Sequence, residues 1–166
     1  MRTCRAVALN GDDTYEVREF PIEDPLPGGA VVRVEAVGLC GSDIMHFYGD
    51  GHGHVPGEIS PLVAGHETVG RVEALIADAN FGVEVGQRVA LGPSAPNPEK
   101  KMGLELCGYT LSPDEPGGPW GGYSEYMGLK PGTQLVPTLD QFDEALLMLD
   151  RKTVGRDAVR INLVHP

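Results

Sequence analysis

Short runs rich in valine, leucine and tyrosine, each cut off by glycine, proline or aspartate, constrain the fold of this chain most. Residues 5–9, 15–20, 30–37, 68–76, 88–91 and 123–129 are brief and apolar or alternating, which is the pattern of strands bounded by turns. Breakers are abundant, with 23 glycines and 14 prolines in 166 residues, so long helices have little room. Many short strands in this rhythm predict a mainly β protein with a few helices, built as a partly closed β-barrel. Residues 41–47 suit a short helical turn capped by Ser42 or Asp43. Residues 94–119, dense in proline and glycine, read as a long excursion. The persuasive helix is 139–152, where Phe142, Ala145, Leu146 and Leu149 recur at helical spacing before Gly155 and a last strand over 158–164.

A chain of this length can bury a core as a single domain. Its formal charge of −11 argues against nucleic acid and anionic membrane as partners, because neither is drawn to an acidic surface. No apolar run approaches the roughly 20 residues of a membrane span, and no leader is evident before the first strand, so a cytoplasmic location is expected. Three widely spaced cysteines do not make a disulfide framework and agree with a reducing compartment.

Chemistry concentrates in two segments, Gly38-Leu39-Cys40-Gly41-Ser42-Asp43 and Gly65-His66-Glu67-Thr68-Val69-Gly70. A thiolate, an imidazole and a carboxylate on separate loops match the donors that zinc takes in open catalytic sites. Taken singly, a free cysteine such as Cys40 is more often an ordinary buried thiol, and a lone histidine such as His66 a structural or exposed one. Glu67 either ligates directly or holds the ligands from behind. His52 and His54, in a glycine-rich loop, are weaker metal candidates.

With those segments, three further motifs complete a likeness: Val85-Gly86-Gln87-Arg88-Val89-Ala90, Pro61-Leu62-Val63-Ala64 before Gly65, and Gly121-Gly122-Tyr123-Ser124-Glu125-Tyr126. Together with the strand pair and Pro-rich turn at the N-terminus, they make the chain resemble the zinc-dependent medium-chain alcohol and polyol dehydrogenases, whose catalytic domain is GroES-like. The resemblance implies a zinc held by Cys40, His66 and Glu67, with a fourth ligand unsettled among Asp143, Glu144 and, as the candidate carried forward, Asp150, or filled by water. It implies that Ser42 passes the substrate's proton onward and that Asp43 braces the site by holding His66. A helix cap is the alternative role for both. His46 lies near the position of proton-relay histidines, with an exposed loop residue as its other reading.

Two departures from the family follow. Many relatives bind a structural zinc through four cysteines in the region of 94–119, where this chain has only Cys107, so one catalytic-type zinc and no structural zinc is expected. The dinucleotide fingerprint Gly-x-Gly-x-x-Gly between a strand and a helix is missing, so no Rossmann domain and no bound NAD are expected. Residues 1–137 then form the GroES-like catalytic domain, and 138–166 a helix and strand returning to it, as if the cofactor domain had been excised by deletion or lost.

Three function classes remain. The first is a zinc-assisted non-redox enzyme of lyase, hydratase or hydrolase type acting on a small oxygenated substrate. The second is a binding or scaffold module. The third is the catalytic half of an oxidoreductase whose NAD domain was deleted or comes from another chain. A former interdomain face would be exposed and would support homo-oligomers, with Met45, Phe47, Tyr48 and Trp120 as its candidate members and core packing as the commoner role for at least half of them.

Overall fold

Residues 2–48, 61–100 and 103–136 are described in the computed structural model of the protein. The anticipated helix 139–152, strand 158–164 and returning segment 138–166 lie outside them, as do His52, His54, Asp143, Glu144 and Asp150.

The first strand shows how sequence alternation becomes packing. In β1 (Thr3–Leu9) the small side chains of Cys4, Ala6 and Ala8 point inward while Thr3 and Arg5 face water. It pairs antiparallel with β2 (Tyr15–Pro21), and the inward side chains pack on Phe20 and Val63. A five-stranded antiparallel sheet carries the larger core. Its members are β3 (Ala30–Gly38), β4 (Glu67–Leu75), β5 (Arg88–Leu91), β8 (Tyr126–Leu129) and β9 (Leu135–Val136), in the order β8-β3-β4-β5-β9. Val32, Val72, Val89, Met127 and Leu129 are all fully buried in it. β6 (Ser94–Pro96) and β7 (Leu104–Leu106) form a small hairpin inside the expected excursion.

Isolated bridges Ala6↔Ser124 and Leu9↔Leu62 tie the first hairpin to the rest. Among the described residues the strands therefore form three antiparallel sheets joined by these bridges, a mainly β domain whose large sheet is not closed. Two irregularities in the β3–β4 pairing, between Val31 and Val32 and between Val34 and Ala36, disturb the regular ladder.

The described strands coincide closely with the anticipated ones. The 123–129 run is shorter as a regular strand, because the chain around Gly121 and Gly122 is committed to a loop contact instead. Gly122 and Tyr123 donate backbone hydrogen bonds to Gly65 (2.7 Å) and Ala64 (2.9 Å). A side chain at Gly121 would place its Cβ 1.8 Å from the Val63 carbonyl oxygen, so only glycine permits that approach.

Helix α1 (Gly41–Phe47) forms where expected, with a different cap. Cys40 takes the N-cap position and its amide donates to Asp43 Oδ2 at 2.7 Å. The third helical residue thus reaches back to the cap, as acidic side chains there commonly do. Ser42 is not the cap.

The anticipated apolar face is also corrected in part. Trp120 is 2% exposed, beneath Lys130 and between tightly packed glycines, so it belongs to the interior. Phe47 packs against Leu9, Leu62, Ala64 and Tyr109. Met45 and Tyr48 are exposed, and Ile44 and Leu39 join them.

Candidate metal centre

Strand register brings the proposed ligands together. Gly38, the last residue of β3, pairs with Glu67, the first of β4. Cys40 lies two residues past one strand end and His66 one residue before the other, so both emerge from the same end of the sheet. One donor atom each from Cys40, His66 and Glu67 lies within 4.8 Å of the others, and all three residues are half-buried. Donors around tetrahedral zinc stand about 3.5 Å apart, so a closure of little more than an ångström would complete the trio. The chemistry and spacing of the donor set fit a zinc ion.

Gly38 permits this arrangement. A Cβ there would come within 2.6 Å of Glu67 Oε2, which shows that the carboxylate folds over the bare glycine backbone.

Behind the trio sits a polar cluster that the sequence did not reveal. Asp43 is 5% exposed and its carboxylate receives three hydrogen bonds: the Cys40 amide and the Tyr123 hydroxyl on Oδ2, each 2.7 Å, and the Tyr109 hydroxyl on Oδ1, also 2.7 Å. Asp43 does not reach His66 directly, since Oδ1 and Nδ1 are 3.9 Å apart. Tyr109 stands between them, its oxygen 2.5 Å from His66 Nδ1 and 2.9 Å from Ser42 Oγ. The rings of His46 and His66 flank the Tyr109 ring, at centroid distances of 4.5 and 4.9 Å.

Burial shifts these groups in a consistent direction. It raises the Tyr109 phenol well above its ordinary range, aided by the Asp43 charge and opposed by the Ser42 hydrogen bond. The Tyr123 phenol is raised first by burial and then by Asp43. For His46, burial lowers the pKa, with Asp43 opposing and His66 adding to the shift. His46 Nε2 is buried and has no hydrogen-bond partner among the described residues. His46 thus lies half-buried on helix α1 beside Tyr109 and is not an exposed loop residue.

The structure therefore gathers Cys40, Ser42, Asp43, His46, His66 and Glu67 and adds Tyr109 and Tyr123. Tyr123 falls in the Gly-Gly-Tyr motif, but nothing in the sequence gives it a partner. Tyr109 lies in the irregular region after β7, where no periodicity flags it. Cys107 does not join the site. It is packed in the sheet core, where burial pushes its thiol up to about 12. A cleft of about 420 Å³ opens beside the centre, lined by Leu39, Cys40, Asp43, Ile44, Phe47 and Tyr123 among others. Its size and largely apolar walls suit a small ligand.

The mainly β domain thus carries a Cys, His, Glu donor trio at one end of its large sheet. Residues 26–140 match the profile of the alcohol dehydrogenase GroES-like domain, and the chain belongs to that family, the zinc-dependent medium-chain alcohol and polyol dehydrogenases. Similar proteins include 5-exo-hydroxycamphor dehydrogenase of Pseudomonas putida, 43% identical over 75 residues, covering 45% of this chain and 20% of that one. A probable alcohol dehydrogenase of Mycobacterium tuberculosis is 31% identical over 147 residues, covering 80% of this chain and 38% of its own length. Among solved structures, an alcohol dehydrogenase from Thermotoga maritima superposes with a TM-score of 0.70 at 21% identity, over 85% of this chain and 42% of that one. The chain thus spans well under half the length of the relatives it matches, and the likeness covers their GroES-like part. No helix among the described residues is long and apolar enough to cross a membrane.

Proposed function

We propose that this protein is a zinc-binding GroES-like domain that activates a small oxygenated substrate, as the substrate-holding half of an alcohol or polyol dehydrogenase. The observation that carries this reading is the convergence of Cys40, His66 and Glu67 within 4.8 Å beside an open cleft. Bound zinc would supply Lewis acidity toward a hydroxyl or carbonyl oxygen. The protein's own residues set the rest. Cys40, His66 and Glu67 hold the ion, and the apolar walls formed by Leu39, Ile44 and Phe47 seat the carbon skeleton. Ser42 Oγ, on helix α1, would take the substrate's proton while giving its own to Tyr109, 2.9 Å away, whose phenol proton would pass to Asp43 Oδ1 at 2.7 Å. The names of the relatives, dehydrogenases acting on alcohols, support a hydride-transfer partner reaction.

A second reading is favoured by the sequence, which contains no Gly-x-Gly-x-x-Gly fingerprint to hold a nicotinamide. On that reading the chain alone performs non-redox chemistry, such as hydration or dehydration at the activated oxygen.

Metal content measured by mass spectrometry, on protein purified without added metal or chelator, tests the common premise. Near-stoichiometric zinc in the parent, lost in Cys40→Ala and His66→Ala with the fold intact, is the expected result. A parent without zinc would overturn it. Turnover of alcohols with added NAD, or its absence alongside lyase activity, separates the two readings.

A further inference from the structure

We propose that Tyr109 is the positioning residue of the metal centre: its phenol oxygen, interposed between Asp43 and His66, fixes His66 as the tautomer protonated on Nδ1 and leaves Nε2 free to ligate. This deepens the metal-binding reading and rests on it only for the ligand step.

Counting donors and acceptors leads to this assignment. A phenol has one proton and can accept two hydrogen bonds. Tyr109 has three polar neighbours: Asp43 Oδ1 at 2.7 Å, Ser42 Oγ at 2.9 Å and His66 Nδ1 at 2.5 Å. Asp43 is already the acceptor for the Cys40 amide and the Tyr123 hydroxyl, so the carboxylate is the natural recipient of the single phenol proton. The two remaining neighbours must then donate to the phenol oxygen. Ser42 gives its hydroxyl proton and His66 gives a proton from Nδ1. With Nδ1 occupied in this way, the lone pair of the neutral ring lies on Nε2, the nitrogen left for a metal.

The raised phenol agrees with this scheme, because a Tyr109 that keeps its proton remains a donor to Asp43. Packing holds the ring in place between His46 and His66, and Tyr109 is 6% exposed. Its amide is fixed by a 3.1 Å bond to the Leu106 carbonyl at the end of β7. Without the phenol oxygen, Asp43 is too far from His66 to orient it, at 3.9 Å. A carboxylate that acts on the ligand through a neutral phenol also leaves the imidazole less electron-rich than direct contact would.

The test begins with the metal-free parent. Long-range proton–nitrogen NMR spectra of His66 should show a single neutral tautomer with the proton on Nδ1; a proton on Nε2 would overturn the proposal without any variant. Tyr109→Phe keeps the ring and removes the oxygen. It should give a mixture of tautomers and weaken zinc binding about 10- to 100-fold in competition with a chromophoric chelator, with a shifted cobalt thiolate absorption band. Tyr123→Phe removes the other phenol on Asp43 and should keep the single tautomer and cost less affinity than Tyr109→Phe. An unchanged tautomer and affinity in Tyr109→Phe, or an equal loss in Tyr123→Phe, would overturn the assignment. A parent that binds no zinc would overturn the metal reading, and the NMR result would then decide the role of Tyr109 alone.

Discussion

Two buried carboxylates in this molecule are held in opposite ways. Glu105, 4% exposed on the edge of the sheet core, meets a cation: Lys130 Nζ lies 2.7 Å away and Lys100 Nζ 3.9 Å. Asp43, equally buried, meets only neutral donors, two phenols and an amide, at hydrogen-bond distance. Lysine neutralises Glu105 and makes it a tie between β7 and the segment after β8. Neutral donors satisfy the lone pairs of Asp43 without cancelling its charge, so negative potential persists beside Cys40 and His66. Such a site favours a cation. The cysteines repeat the contrast. Cys107 is packed as a hydrophobe among Val89, Leu91 and Met127, whereas Cys40 is half-buried at the mouth of the cleft.

The largest effect expected from this contrast is on alkaline stability. Burial raises Cys107 from 9.0 to about 12 in the folded protein, so the unfolded chain releases its proton first as pH rises. That contribution is complete below about pH 9 and is lost as pH climbs toward 12, to a total of about 4 kcal/mol on the linkage relation. The raised phenols of Tyr109 and Tyr123 act in the same direction at higher pH. Urea denaturation midpoints across that range should fall, and Cys107→Val should flatten the first part of the decline. A midpoint indifferent to pH between 9 and 11 would mean that Cys107 is not sealed in the core.

Next in size comes the pair of charge tests. Lys130→Met leaves Glu105 with only the longer contact to Lys100 and should cost about 3 kcal/mol in the same denaturation assay, with zinc affinity unchanged. Asp43→Asn keeps the shape and removes the charge. It should cost about 2 kcal/mol, because an amide nitrogen must face donors, and it should weaken zinc binding at least tenfold. If both variants affected stability and zinc alike, the distinction between structural and functional carboxylate would collapse.

Gly38→Ala gives the smallest effect and sharpens the geometry. The new Cβ would crowd the flexible end of Glu67, 2.6 Å away, so stability should change by about 1 kcal/mol or less. Zinc affinity should fall about tenfold as the carboxylate swings away. Unchanged affinity would show that Glu67 is not a ligand.

Most strands were legible in the sequence because alternation and turn residues are local signals. Residues 30–37 and 88–91 needed only their valines and the glycines around them. β6, β7 and β9 escaped notice because they are two or three residues long and form only against partners already in place. Trp120 was left open between surface and core for a related reason. Its neighbours Gly117, Gly118 and Gly128 allow backbone to close over the indole, and no local pattern records that. Residue type gave Cys40, His66 and Glu67 as a donor set through the motifs around them. The phenols escaped because a tyrosine becomes a hydrogen-bonding hub only through what surrounds it.

By itself the sequence determined the family, the strand positions and the donors available for a metal, since each is written in residue type and short-range spacing. Only the tertiary structure decided how those donors are oriented. Tyr109 lies 43 residues from His66 and 66 from Asp43 along the chain, so their hydrogen bonds exist only after β3, β4 and the segment following β7 have packed together. Hydrogen bonds depend on distances of tenths of an ångström, and those are fixed by the packed core rather than by any neighbour in sequence.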